Sequence, residues 1–235
     1  MAQRMIHYLL GELISEGIAL KDKNRFLLGS IMPDGFTDVS MRDVTHFVTS
    51  FPEKDGRGWV RYYDFERFRR EYKEQMAADD LYFGYYMHIV EDDCYRNFIR
   101  KDLRLNLYSD PASVEKLHRD YHLLNSYIRG KYSLKDLPAM PADIGSLPLC
   151  RIAGFDMEKL IDDMCRDFTE EAEGEFTFIT PKILNDFMKR YLWMILREAE
   201  SAYRDEVFLR ARDFSWISKN PGNSGQNIKT EGEIK

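Results

Sequence analysis

The sequence predicts an all-α fold, and three observations carry that expectation. Apolar residues recur at helical spacing along most of the chain. Residues that start helices stand directly before those segments. Strand-like alternation of apolar and polar residues is scarce. With 235 residues, 44% of them apolar, the chain can build one substantial core. The expected organisation is a single multi-helix domain over 1–214 and a tail over 215–235. The tail's run SKNPGNSGQNIKTEGEIK, rich in Gly, Asn, Ser and Lys, cannot bury a core face and is expected to be disordered.

Each helix has a local reason. Ile6, Leu9, Leu10, Leu13 and Ile14 share one stripe of a helix over about 2–20. A shorter one over about 22–31 must stop before Pro33, whose ring cannot continue a helix. Asp64 is placed to cap a helix over 65–77 and Asp79 a long one over 80–103. Pro111 or Ser113 opens the next, over about 112–131. Asp156 starts one reaching about 172, and Thr180-Pro181 starts the last, to about 212. Pro52, Gly56 and Gly58 mark one loop; Pro138, Pro141, Gly145 and Pro148 mark another.

Composition narrows the function classes. The net charge is −6, and Lys and Arg are dispersed, which argues against a dedicated nucleic-acid surface. The first residues, MAQRMIHYLLGELISEG, are interrupted by Glu12 and Glu16 and do not read as a signal peptide. No apolar run of about 18 residues is present, so no transmembrane segment is expected. Cys94, Cys150 and Cys165 are odd in number and widely spaced, as reduced thiols of a cytoplasmic protein would be.

The chemistry concentrates in FGYYMHIVEDDCYRNFI, residues 83–99, an aromatic helix carrying His88, Glu91, Asp92 and Asp93. At 100° per residue from Leu81, His88 falls near about 340° and Asp92 near about 20°, both beside the apolar stripe. Glu91, near about 280°, points elsewhere on this reading. A buried carboxylate without a partner costs several kcal/mol and needs a cation, hydrogen bonds or a proton. A neutral imidazole four residues before an anionic carboxylate offers a divalent ion two ligands on one face. A helix-holding His–Asp hydrogen bond is the plain alternative. Asp34 sits where Pro33 breaks a helix in FLLGSIMPDGF, and also reads as an ordinary turn residue. His46 in VTHFV and His7 in IHYLL are further imidazoles in apolar company.

Together these residues resemble the zinc-dependent phospholipase C family, whose all-helical fold is shared with fungal single-strand-specific nucleases. The order of motifs carries the resemblance: His7 in the first helix, GSIMPD ending in Asp34, THF with His46, then HIVED with His88 and Asp92. The likeness spans roughly residues 1–130. It implies that Asp34, His46, His88 and Asp92 hold one zinc, with Asp92 bridging toward a second ion on His7. Iron or manganese would suit the same mixed oxygen and nitrogen donors.

The sequence also departs from the family. Its secreted members complete the cluster with the amino group of a processed Trp, whereas this chain begins MAQR. Phe98 stands where a histidine is expected, and HRDYH offers His118 and then His122 in place of an acid. On the stripe formed by Val114, Leu117, Tyr121, Leu124 and Ile128, His122 is the most exposed of the three polar residues. Asp120 and His118 are therefore the preferred cleft residues and further metal-ligand candidates. Short cytosolic members of the family carry a similar Asp-Tyr-x-x-Leu-Asn stretch, matched here by DYHLLN.

The implied activity is hydrolysis of a small-molecule or lipid-headgroup phosphoester by metal-activated water, with one or two zinc ions. Asp34, Asp92 or Asp120 would accept the proton. Tyr62, Tyr63, Tyr82 and Tyr86 could cage a choline-type headgroup but at helical spacing read equally as core. A His-Asp dyad phosphohydrolase needs an adjacent His-Asp pair, which is missing; a di-iron bundle needs two Glu-x-x-His motifs, and only EKLH at 115–118 is present. The alternative is a non-catalytic metal-binding or helical interaction protein that has lost part of the cluster.

Overall fold

The computed structural model describes residues 2–56, 58–107, 110–134, 137–151, 154–219 and 222. The α-helices among them are α1 (Arg4–Gly17), α2 (Lys23–Ile31), α3 (Arg42–Thr45), α4 (Phe65–Glu71), α5 (Lys73–Ala78), α6 (Asp80–Asn97), α7 (Pro111–Tyr132), α8 (Met157–Thr169) and α9 (Pro181–Tyr203). Their starts are fixed as the side chains dictate. Asp22, Asp64, Asp79, Asp110, Asp156 and Thr180 each accept a backbone N–H from the first turn that follows. Each such cap satisfies a donor that would otherwise be orphaned, worth about 1 kcal/mol. The α7 cap is Asp110, with Pro111 in the first turn, rather than Ser113.

Helix ends depart further from expectation. The segment after Asp64 breaks at Tyr72 into α4 and α5. The long aromatic helix closes at Asn97 into a π-turn over Phe98–Asp102. The last helix stops at Tyr203, nine residues before the expected 212.

The protein is predominantly helical, not purely so. β1 (Val48–Pro52) and β2 (Trp59–Tyr63) form an antiparallel hairpin with Val48 opposite Tyr63 and Pro52 opposite Trp59. β3 (Trp216–Ser218) pairs antiparallel with β2, giving a small open sheet in the order β1-β2-β3. Residues 216–218 thus belong to the sheet although the tail was expected from 215; positions 220, 221 and 223–235 lie outside the described residues. No helix among the described residues is long and apolar enough to cross a membrane. Cys94, Cys150 and Cys165 are all free thiols.

The fold is organised around α6, every residue of which from Asp80 to Tyr95 is buried. α2 lies against it at unusually close range. A Cβ added to Gly29 would sit 2.0 Å from the Leu81 carbonyl oxygen, and one added to Gly84 would sit 2.0 Å from that of Phe26. Glycine at both crossing points lets the two backbones touch, which brings Ser30 and the turn after α2 up to His88. We expect Gly84→Ala to reduce stability by about 3 kcal/mol, the upper range for overpacking. The control is Gly17→Ala, whose added methyl meets nothing within 4 Å. Equal midpoints for the two variants in urea denaturation would refute the close crossing.

Candidate metal centre

Five side chains from four chain segments converge beside the middle of α6. His7 comes from the buried face of α1. Asp34 closes the 3-10 turn Met32–Asp34, in which Pro33 ends α2 as its ring requires. The loop after it is tied to the segment before α8, with Asp156 N–H donating to the Gly35 carbonyl at 2.7 Å and Thr37 N–H to Gly154 at 3.0 Å. His46 follows α3, and the left-handed Phe47 (φ 53°) then turns the chain into β1. The Tyr85 hydroxyl donates to the Thr45 carbonyl and fixes this turn on α6. His88 and Asp92 share one face of α6, four residues apart.

The imidazoles are oriented by their outer nitrogens. His88 Nδ1 lies 2.8 Å from the Ser30 carbonyl, so it must carry the proton and donate. His46 Nδ1 lies 2.9 Å from the Arg42 carbonyl, with the same consequence. His7 Nδ1 donates to Glu91 Oε2 at 2.7 Å. His46 and His88 therefore turn a bare Nε2 lone pair inward, and His7 directs its Nε2 to the same space. The His46 and His88 Nε2 atoms face one another at 3.2 Å. Two lone pairs at that distance repel unless a cation lies between them.

The remaining separations fit one idea. His46 Nε2 is 3.4 Å from Asp34 Oδ1 and 3.6 Å from Asp92 Oδ2, and His7 Nε2 is 3.4 Å from Asp92 Oδ1. Donors around a tetrahedral zinc with bonds of about 2.05 Å stand about 3.3 Å apart, longer than a hydrogen bond. Two overlapping groups gather potential ligand atoms within 4.8 Å of one another, His7–His88–Asp92 and Asp34–His46–His88. His7 Nε2 and Asp92 Oδ2 are fully buried without a hydrogen-bond partner, as ligand atoms would be. The other Asp92 oxygen also accepts the Ala2 backbone N–H at 2.9 Å.

Electrostatics concur. Burial pushes Asp92 up, but the adjacent His7 imidazole and nearby positive charge outweigh it and hold the carboxyl well below the usual range. Asp34 is lowered in the same way, burial being overcome by His46 and His88. Burial, and then the charge of His7, depress His88 to about 3, leaving it a neutral donor. Burial also acts to lower His7, yet Asp92 and Glu91 lift it to about 10. The carboxylates thus call for positive charge at this spot, which a proton on His7 meets once and a divalent ion meets twice. Ion binding must displace that proton.

Glu91 is the residue the periodicity misplaced. It is fully buried and bonded to His7, with burial raising its pKa to about 7. The helical wheel failed because α6 is enclosed on all sides and has no solvent face. A carboxylate on a ligand imidazole orients the ring and strengthens it as a donor. Glu91→Gln should weaken metal affinity by about 10–100-fold in chelator competition. An unchanged affinity would show that the contact is only structural.

The remaining candidates lie elsewhere. His118 is exposed and lines a cleft of about 610 Å³ that runs from Asp34 past Phe36, Val39 and Arg42 to His122. Asp120 is turned away. Its carboxylate accepts the backbone N–H groups of Thr177 at 2.8 Å, Phe178 at 2.6 Å and Ile179 at 2.8 Å, at the approach to α9. Those bonds satisfy it without a metal, and it belongs to neither donor group. Of HRDYH it is therefore the two histidines and Tyr121, not Asp120, that line the cleft. Phe98 is buried against Phe187 and Tyr191 and supplies nothing. Tyr62, Tyr63, Tyr82 and Tyr86 are core residues and form no cage at the cleft. Comparison with family models, curated proteins and solved structures finds no match for this chain.

Proposed function

We propose that the protein is a metal-dependent hydrolase of phosphoesters, with zinc as the expected ion. The observation that carries this reading is the inward convergence of three imidazole Nε2 atoms with the Asp34 and Asp92 carboxylates. Asp34, His46, His88 and Asp92 would hold one ion. His7 and the second oxygen of Asp92 would hold another, so that Asp92 bridges. A divalent ion there supplies Lewis acidity and brings the pKa of water toward about 7.

The chain's own residues do the rest. The apolar and aromatic shell behind α6 keeps the cluster dry, which strengthens every charge within it. Asp34 alone of the five keeps some exposure, with 11% of its side chain accessible, and it opens onto the cleft. It is therefore the carboxylate placed to take a proton from the attacking water. Asp92, fully buried, serves the ion.

A second reading has one specific observation in its favour. Phe98 fills with core packing the position where a further histidine was expected. A protein that binds metal without turnover would keep the cluster and lose that ligand. Elemental analysis of purified and zinc-reconstituted protein, run beside phosphatase and phosphodiesterase substrates, separates the two. Bound metal with turnover abolished in Asp34→Asn supports the hydrolase. Bound metal with no turnover on any phosphoester supports the binding protein, and absence of metal after reconstitution removes both.

A further inference from the structure

Resting on the metal-binding part of that reading, we propose that β3 clamps the His46 side of the metal centre, with Trp216 a positioning residue that sets metal affinity from outside the ligand set. Tyr63, the last residue of β2, carries the contact. Its ring lies 6.1 Å from that of His46 and 5.2 Å from that of Trp216. Tyr63 thus stands between the C-terminal strand and a metal-ligand candidate. β3 brings Trp216 there by pairing with β2, Arg61 opposite Trp216 and Trp59 opposite Ser218.

Two further ties fasten the same strand. The Arg96 guanidinium lies over the Trp216 ring at 3.7 Å and over that of Tyr63 at 6.0 Å. Arg96 follows Asp92 by one helical turn, so this stack joins β3 to the helix that carries His88 and Asp92. On the other side, Arg61 of β2 pairs with Asp43 of α3 at 2.6 Å. Gly222 packs on that pair so closely that an added Cβ would collide with Asp43 Oδ2 and Arg61 Nη2. Asp43 adjoins Arg42, whose carbonyl accepts from His46 Nδ1.

These ties act on the orientation of one ring. The hydrogen bond at Nδ1 fixes the His46 tautomer, while packing against the ring fixes its tilt. Tyr63 and Phe36, with centroids 6.1 and 6.3 Å away, supply that packing beside His88. A ligand constellation tolerates only about 0.5 Å of misplacement, so a support one residue removed still governs affinity. The clamp is also separable from the fold. β3 is three residues long and lies on an open edge, with Ile217 47% exposed. Such a segment opens at a lower free energy than the whole domain. Its release leaves the helices in place and takes the support away from Tyr63.

The test measures zinc affinity of the full chain by chelator competition. Trp216→Ala should weaken binding about tenfold or more, the effect of losing support behind a ligand. Trp216→Phe, which keeps an aromatic face for Arg96 and Tyr63, should recover most of that loss. Ile217→Ala, on the same strand but the opposite face, should stay within about twofold of wild type. Gly222→Ala, which pushes the chain off the Asp43–Arg61 pair, should also weaken binding, and it decides the matter if Trp216→Ala does not fold. Urea midpoints of the zinc-free proteins are the second readout. A strand that only adds stability would lower the Trp216→Ala midpoint and leave the zinc Kd of the folded variant unmoved. That result, or an equal loss of affinity in Ile217→Ala, overturns the clamp while the metal centre stands. Wild-type protein that takes up no zinc retires the metal centre, and the clamp with it.

Discussion

His88→Ala should leave a folded protein that no longer takes up zinc. His88 is the one residue common to both donor groups, and its Nε2 stands 3.2 Å from that of His46. Removing it opens both groups at once. The loss in affinity should exceed the roughly 10–100-fold effect of a residue that only supports a ligand. Stability offers an independent readout. Wild-type protein at a thousandfold excess of zinc over its Kd should gain about 4 kcal/mol by mass action, and His88→Ala should gain none. His118→Ala, altered in the open cleft, should retain the full gain. A variant that still binds zinc stoichiometrically and is still stabilised by it would show that the convergence around α6 is a hydrogen-bonded core and not a metal centre.

Asp120→Ala should do the reverse, lowering stability while leaving metal content intact. Its carboxylate gathers three consecutive backbone N–H groups just before Thr180 caps α9. An unsatisfied buried donor costs about 1–3 kcal/mol, and three partly or wholly buried ones together should cost about 3–5 kcal/mol. Urea denaturation gives the magnitude and elemental analysis the specificity. Lost metal with unchanged stability would restore Asp120 to the site from which its hydrogen bonds remove it. The pair of variants separates the two purposes a buried carboxylate can serve, neutralising a cation or holding a loop.

Local signals were legible because they act over a few residues. Four of the helix starts were read from Asp64, Asp79, Asp156 and Thr180, and Pro33 writes its own stop, whereas the caps Asp22 and Asp110 were not singled out. The hairpin was not legible. Five-residue strands such as VTSFP and WVRYY give too few alternations to stand out, and the pairing of WVRYY with Trp216–Ser218 joins positions more than 150 residues apart. The end of α9 was likewise missed, since the apolar run through Val207, Phe208 and Leu209 reads as helix although the chain leaves the helix at Arg204.

The candidate site divides along the same line. Sequence alone determined that His7, Asp34, His46, His88 and Asp92 are polar groups set among apolar neighbours, and spacing put the last two on one face. Tertiary structure decided which polar groups share a space and which bonds each has already made. It gave Glu91 to His7, the Ser30 and Arg42 carbonyls to the other two rings, and Asp120 to the backbone before α9. The physical reason is that helical periodicity gives a residue's direction about its own axis and nothing about what stands opposite. For α6, enclosed on every side, each direction leads to a partner, and only the packing of the other helices says which.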